Sequence, residues 1–191
     1  MISHDHFDHI SSAVGLSKGT GAIIGGPDES IRRLIREEGS DPSKVVNDGN
    51  GYIVGGGTIL PWAKIVAVPA IHSSNTGVAI GTIITLDDGT TLYHTGDTAL
   101  TGDMEIYSRL YNVEVLMLPI LGRCMMDVVQ AVEAVKIIKP KVVIPMHFDG
   151  PKHLNNYTSP DELLIDFVSL CRNTNKGVKV IKTEKDVYYD L

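Results

Sequence analysis

Four side chains of types that bind metals fall within six residues near the start of the chain. They are His4, His6, Asp8 and His9, in the pattern His-x-His-x-Asp-His. Residues two apart share a face in extended backbone, so His4 and His6 can point to one metal. If a helix begins at about Asp8, the next two side chains point toward a second metal. A solvated histidine-rich stretch or a tag remnant is disfavoured, because aspartate and phenylalanine interrupt the histidines.

Three further candidate ligands, His72, Asp97 and His147, lie downstream, and each follows a segment predicted to be a strand. Taken singly, they would be explained as a loop histidine, a turn aspartate and a capped core histidine. Their order and shared strand-end setting indicate instead that they join the N-terminal cluster in one site. Imidazole and carboxylate ligands together suit zinc, and also manganese or iron. The seven side chains therefore predict a centre for two divalent metals, with zinc as the first choice.

Composition limits the classes of protein to consider. The chain has 191 residues, 43% hydrophobic and 21% charged, which predicts one globular domain over residues 1–191. A net charge of −6 argues against nucleic-acid binding, which normally needs a basic surface. The apolar runs are too short for a membrane span, and we expect no signal peptide. The two cysteines, Cys124 and Cys171, predict no disulfide framework, so a reducing cytoplasm is expected.

Hydrophobic periodicity predicts alternating strands and helices, which is typical of an α/β layered fold. Strands are predicted over residues 1–3, 22–25, 64–69, 78–86, 90–94, 113–120, 141–146 and 178–181. Helices are predicted over residues 10–18, 28–38, 128–138 and 160–172, and turns over 47–57 and 87–89. Two helix starts carry capping boxes, Asp127 with Gln130 and Ser159 with Glu162.

Five segments make the chain similar to the metallo-β-lactamase superfamily, and these are residues 3–9, 69–74, 94–98, 118–120 and 139–147. Within that superfamily the sequence most resembles the small metal-dependent hydrolases related to L-ascorbate-6-phosphate lactonases. The resemblance covers about residues 1–150. It implies an α/β fold of the αββα sandwich type, here short at its N-terminal end.

The resemblance also implies how the seven candidate ligands divide between two metals. The first metal would take His4, His6 and His72, the second would take Asp8, His9 and His147, and Asp97 would bridge the two. The diiron oxygen-reductase relatives have a carboxylate at the position of His6. A hydrolytic site is therefore favoured over a redox site.

The chain departs from the family pattern in two places. The superfamily usually places several strands before the histidine motif, and here the motif begins at once. Two alternatives are open, namely that the start is truncated or that another chain supplies the missing strands. In the second case a further copy of the chain or a partner chain is expected to cover the sheet edge that those strands would protect. The loop over residues 121–127 also differs, and Arg123 and Cys124 are predicted to alter the pocket lining. Cys124 is interpreted as a packed free cysteine, with a reactive thiol or a neighbour of the metals as alternatives.

Two further histidines have open interpretations. His94, three residues before Asp97, either contacts a ligand histidine or the substrate, or is a strand histidine at the edge of the core. His153 follows His147 on a polar loop and could reach the pocket rim, where Lys152 would pair with an anionic substrate. A solvated loop is favoured for both His153 and Lys152.

These observations predict a hydrolase with a two-metal centre. Two metals about 3.5–4 Å apart would hold a bridging hydroxide that attacks the substrate. Asp8 would orient the hydroxide and take its proton. The predicted substrate is a small ester, lactone or phosphoester, with neither nucleic acid nor membrane as a partner. One alternative is a phosphodiesterase or nuclease, which the negative net charge disfavours. The other is an inactive metal-binding remnant without the leading strands.

Overall fold

The computed structural model describes residues 1–149, 157, 159–184, 187 and 189. Their strands and helices alternate along the chain, so the predicted α/β class is confirmed. All the named strands join one seven-stranded sheet in sequence order. The strands are β1 (Gly57–Leu60), β2 (Ala63–Pro69), β3 (Ile80–Leu86), β4 (Thr91–His94), β5 (Val115–Pro119), β6 (Val142–Met146) and β7 (Lys179–Val180).

The sheet has an antiparallel half and a parallel half. Strands β1 to β4 pair antiparallel, and β4 to β7 pair parallel. The turn between β3 and β4 contains Gly89, whose φ of 88° lies in the left-handed region that favours glycine. Strands β2, β4 and β6 therefore run in one direction, and their C-terminal ends meet at the same end of the sheet. The three downstream ligand candidates follow those three ends.

The described helices range from single turns to 15 residues in α7. They are α1 (Phe7–Ile10), α2 (Ala13–Thr20), α3 (Asp28–Glu38), α4 (Val46–Gly49), α5 (Asp103–Tyr111), α6 (Val128–Ile138) and α7 (Pro160–Thr174), with a 3₁₀ turn at Pro42–Lys44. In both predicted capping boxes the side chain of the first residue accepts a hydrogen bond from a backbone N–H. Asp127 accepts from Gln130 at 2.8 Å, and Ser159 accepts from Glu162 at 3.1 Å.

Helices cover one face of the parallel half. Side chains alternate across a strand, so Leu116 and Leu118 of β5 point to the same face, where they join a core cluster with Phe167 of α7. On the opposite face Val115 and Val142 are buried, and Leu92 and Met117 beside them are half-buried. The predicted covering of an exposed edge by another chain stays a prediction. None of the described helices combines the length and the apolar character that crossing a bilayer requires.

Several predicted elements are wrong or incomplete. Residues 1–3 form no strand, because Ile2 and Ser3 bond to different partners, Gly25 and Ile80, and no ladder continues. Residues 22–25 contribute only an isolated bridge at Ile24. The helix predicted over 10–18 is two helices, α1 and α2, with a break between them. Strand β1 and helix α5 were not predicted at all.

Candidate metal centre

The N-terminal segment is held between two other parts of the fold. The Ile2 N–H donates to the Gly25 carbonyl at 2.7 Å, and the Ile80 N–H donates to the Ser3 carbonyl at 2.8 Å. The backbone of His6 is extended, and α1 begins at the next residue. Nε2 of His4 lies 2.9 Å from Nδ1 of His6, so these two rings converge on one point. The predicted change of direction into a helix at about Asp8 is confirmed.

The three downstream candidates sit at the ends of β2, β4 and β6. Asp97 is buried, and it follows Gly96, whose φ is 64°. A Cβ on Gly96 would lie 2.6 Å from the Ile80 carbonyl oxygen, so this tight turn excludes other residues. His147 has a φ of 52°, which is uncommon for a residue other than glycine. Such backbone strain clusters at functional sites, where the surrounding structure holds it in place.

The structure brings all seven candidates together. Three groups have ligand atoms within 4.8 Å of one another, namely His4–His6–His72, Asp8–His9–His147 and His4–His9–Asp97. The first two groups are the two sets proposed from the sequence. We name them the first set (His4, His6, His72) and the second set (Asp8, His9, His147).

Asp97 lies between the two sets. Its Oδ2 atom is 3.3 Å from Nε2 of His9, 3.4 Å from Nε2 of His147 and 3.8 Å from Nε2 of His72. One carboxylate oxygen thus faces imidazoles of both sets. This position is the one that a bridging ligand requires, and the bridging role itself stays a prediction.

Three of the ligand imidazoles have a partner for Nδ1, the nitrogen that faces away from the centre. Ser3 Oγ lies 3.0 Å from Nδ1 of His4 and 3.4 Å from Nδ1 of His9. Nδ1 of His72 lies 2.8 Å from the Cys124 carbonyl oxygen, which can only accept its hydrogen. Such contacts fix ring orientation and tautomer, and they leave Nε2 free to bind a metal. The sequence reasoning identified none of these partners.

The electrostatics favour the forms that bind metals. Burial, with a further contribution from His9, lowers the pKa of His4 to about 4, so its ring is neutral near pH 7. Burial raises the pKa of Asp97, but the hydrogen bond from His9 and the nearby His147 outweigh it, and the net shift is downward. Burial lowers the pKa of His9, yet Asp97 reverses this and the net shift is upward. Metal binding at His9 therefore competes with a proton more than it does at His4.

Two buried polar atoms of the cluster support its interpretation as a metal-binding site. Oδ1 of Asp97 and Nδ1 of His147 are buried and lack a hydrogen-bond partner among the described residues. Leaving a buried carboxylate oxygen without a partner is costly unless a cation binds it. A set of imidazoles and carboxylates is also the donor set of zinc, manganese and iron sites. The residues present therefore fit divalent metal ions.

The remaining candidates lie outside the two sets. His94 accepts a hydrogen bond from the Gly96 N–H at 3.0 Å, and it lines a cavity of about 150 Å³ that Leu92 and Met117 also line. The ligand candidate His9 lines the same cavity, so both interpretations of His94 stay predictions. Cys124 is a free thiol but an exposed one, so its interpretation as packed is wrong, and its carbonyl is what touches the site. His153 and Lys152 lie outside the described residues.

The fold and the cluster define a class. Imidazoles and carboxylates converging at the strand ends of an α/β sheet are the arrangement of a metallohydrolase. The family model described as a beta-lactamase superfamily domain matches residues 1–148. The chain therefore belongs to the metallo-β-lactamase superfamily, as the sequence predicted.

Individual relatives agree. A "UPF0173 metal-dependent hydrolase" of Nitratidesulfovibrio vulgaris is 38% identical over 176 residues, covering 92% of this chain and 73% of the relative. A protein of the same description from Staphylothermus marinus is 40% identical over 149 residues, covering 78% of this chain and 61% of the relative. The structure of Igni18, a metallo hydrolase of Ignicoccus hospitalis, aligns with a TM-score of 0.77 at 33% identity, covering 96% of this chain and 74% of that one. The protein is thus a metal-dependent hydrolase.

Proposed function

We propose that this protein hydrolyses a small ester, lactone or phosphoester at a centre of two divalent metals, with zinc as the first choice. The observation that carries the proposal is the joining of two three-residue ligand sets at Asp97, whose Oδ2 faces histidines of both. The first set would hold one metal, the second set the other, and Asp97 would bridge them. Metals bound there would lower the pKa of a water molecule and polarise the substrate oxygen.

The side chains of the second set support a proton-transfer role for Asp8. The Asp8 side chain is 59% exposed, whereas the Asp97 side chain is 3% exposed, so only Asp8 can also reach an incoming substrate. Burial raises the pKa of Asp8, but His9 and His147 outweigh it and lower the pKa overall. An ionised Asp8 could orient the attacking water and accept its proton at neutral pH.

Exposed apolar side chains next to the ligands favour a small organic substrate. Phe7, between His6 and Asp8, is 81% exposed, and Ile71, just before His72, is 61% exposed. Both adjoin a ligand residue in the sequence. A substrate with an apolar portion next to its hydrolysable bond would bury these side chains. The net charge of −6 does not favour a nucleic-acid substrate. Two free cysteines fit a reducing cytoplasm, which we propose as the setting.

The first test is elemental analysis of the purified chain for zinc, manganese and iron. Two metals per chain would support the centre, and a screen of lactones, carboxylic esters and phosphodiesters would then define the substrate. Turnover of phosphodiesters alone would favour the phosphodiesterase alternative. A folded chain that takes up no metal when the ions are added would contradict the proposal and favour an inactive structural remnant.

A further inference from the structure

Asp5 lies between two ligands of the first set, yet its side chain points away from them. Because side chains alternate in extended backbone, His4 and His6 face the centre while Asp5 faces the protein interior. Asp5 is 1% exposed. An ionised carboxylate is costly to bury without strong hydrogen bonds or a paired cation, so its surroundings decide what it does.

Four donors surround the Asp5 carboxylate, and all of them come from one loop. Oδ1 accepts from Ser74 Oγ at 2.7 Å, from the Asn75 N–H at 2.6 Å and from the Thr76 N–H at 3.1 Å. Oδ2 accepts from Thr76 Oγ1 at 2.6 Å. The Asn75 side-chain amide also donates to the Asp5 carbonyl at 2.8 Å. This loop begins two residues after His72, the third ligand of the first set.

Helix α3 contacts both the Asp5 carboxylate and the same loop. Nε of Arg33 lies 3.7 Å from Oδ2 of Asp5, too far for a hydrogen bond but close enough to supply a positive charge. Ser30 Oγ donates to the Thr76 carbonyl at 3.3 Å. The contacts therefore connect the His4–His6 segment, the loop after His72 and one face of α3. No residue of the second set takes part in any of these contacts.

We propose that Asp5 is a positioning residue that holds His72 against His4 and His6, and so sets the geometry of the first metal site. We name the group of Asp5, Ser74, Asn75 and Thr76 the carboxylate clasp. The inference rests on the proposed two-metal centre and goes beyond it, because it assigns a function to a residue that touches neither metal nor substrate. Both ends of the clasp lie within four residues of first-set ligands. Its loss should therefore weaken the first site selectively.

The test measures Co²⁺ affinity at each site separately. His147→Ala removes a second-set ligand and reports the first site, and His72→Ala removes a first-set ligand and reports the second. Asp5→Asn is then added to each parent. An amide keeps the size of the side chain but offers one acceptor oxygen in place of two, so it cannot satisfy all four donors. The visible absorption of bound Co²⁺ reports the coordination geometry independently of catalysis.

We expect Asp5→Asn to weaken Co²⁺ binding by about 10–100-fold in the His147→Ala parent, the range found for residues that support metal ligands. In the His72→Ala parent we expect less than a threefold change. The first-site absorption should also lose intensity or shift. Equal weakening in both parents, or none in either, would overturn the clasp while leaving the two-metal centre standing. Parents that bind no Co²⁺ would overturn the centre, and the clasp with it.

Thr76 provides a matched pair that touches no ligand. Thr76→Val removes the hydroxyl that donates to Asp5, and Thr76→Ser keeps it. We expect Thr76→Val to weaken first-site Co²⁺ binding several-fold and Thr76→Ser to restore it. Asp41→Asn is the control for general destabilisation, because Asp41 accepts from the Ser43 N–H and hydroxyl in a turn outside the clasp. Weakening by Asp41→Asn as large as that by Asp5→Asn would show that the effect is global, and would overturn the proposal.

Discussion

The two ligand sets differ in how firmly the fold holds them. In the first set each imidazole has a neighbour for its second nitrogen: Ser3 for His4, Ser73 for His6 at 3.4 Å, and the Cys124 carbonyl for His72. In the second set Asp8 is mostly exposed, and Nδ1 of His147 has no partner among the described residues. The fold therefore supports one metal position from several sides and leaves the other open.

This difference follows from where the ligands lie in the chain. The first set is tied to α3 and the loop after β2, which carry buried side chains and several hydrogen bonds. Asp8 and His9 of the second set lie on α1, a single turn of helix without a side-chain cap. A single turn is unstable unless tertiary contacts hold it. The open set also contains the residue to which we assign proton transfer, and that residue must meet the substrate.

The largest effect is expected for the residue that the two sets share. Asp97→Ala removes the oxygen that faces His9, His72 and His147, so both metals should be lost and hydrolysis should fall to background. Asp97→Asn keeps the shape but not the charge, and should lose less metal than the alanine variant. Elemental analysis of both variants provides the measurement. Two metals retained in Asp97→Ala would show that the bridging assignment is wrong.

The next largest effect is expected in the order in which a chelator removes the two metals. Because residues that support ligands contribute about 10–100-fold to metal affinity, the first site should bind more tightly than the second by a factor of that order. Stepwise removal by a chelator, followed by metal analysis, should give a species with one metal. In that species His9 should be free to titrate, as NMR of its ring protons would show. Loss of both metals in one step would contradict the comparison.

Local signals account for most of what the sequence predicted correctly. Helix α3 begins and ends where predicted, because its apolar spacing and the left-handed Gly39 act within one segment. The ligand histidines could be found because the chain has only 7 histidines, and His4, His6 and His9 lie close together.

The missed features lack a local signal. Helix α5 buries only Met104 completely, and its exposed Ile106 and Leu110 blur the apolar period. The Cys124 carbonyl supports His72 through a peptide group that every residue has, so no residue type marks it. Asp5 stands at an x position of the His-x-His-x-Asp-His pattern, and its partners lie about 70 residues away. Only the fold brings them together.

A third prediction affects both sets at once. Ser3 Oγ is near Nδ1 of His4 in the first set and of His9 in the second, so Ser3→Ala removes a support from each. We expect both affinities to fall, by less than about 10-fold each, because the rings keep their other contacts. Ser3→Thr retains the hydroxyl and is the control. A change confined to one site would show that the hydroxyl is not shared.

The smallest effect on the centre is expected for replacement of His94, which should leave metal affinity within about threefold of wild type. It should instead change how the free energy of unfolding depends on pH. Burial lowers the pKa of His94 to about 4, against about 6.5 in the unfolded chain. Between these values the unfolded state binds the proton and the folded state does not. Stability is therefore full above pH 6.5 and declines as the pH falls toward 4, by at most about 3 kcal/mol from this residue.

His94→Gln isolates that contribution, because its side-chain oxygen can still accept from the Gly96 N–H but does not titrate. Urea unfolding of the chelator-treated proteins at pH 7, 6, 5 and 4 gives the free energy of unfolding at each pH. As the pH falls, this free energy should decrease more for the wild type than for His94→Gln. His4 also has a lowered pKa, but it is present in both proteins, so its effect cancels in the difference. A difference between the two proteins that does not change with pH would mean that His94 has the same pKa in the folded and the unfolded state. Water would then reach His94 on the folded sheet, as it reaches the exposed Asp8 of the second set.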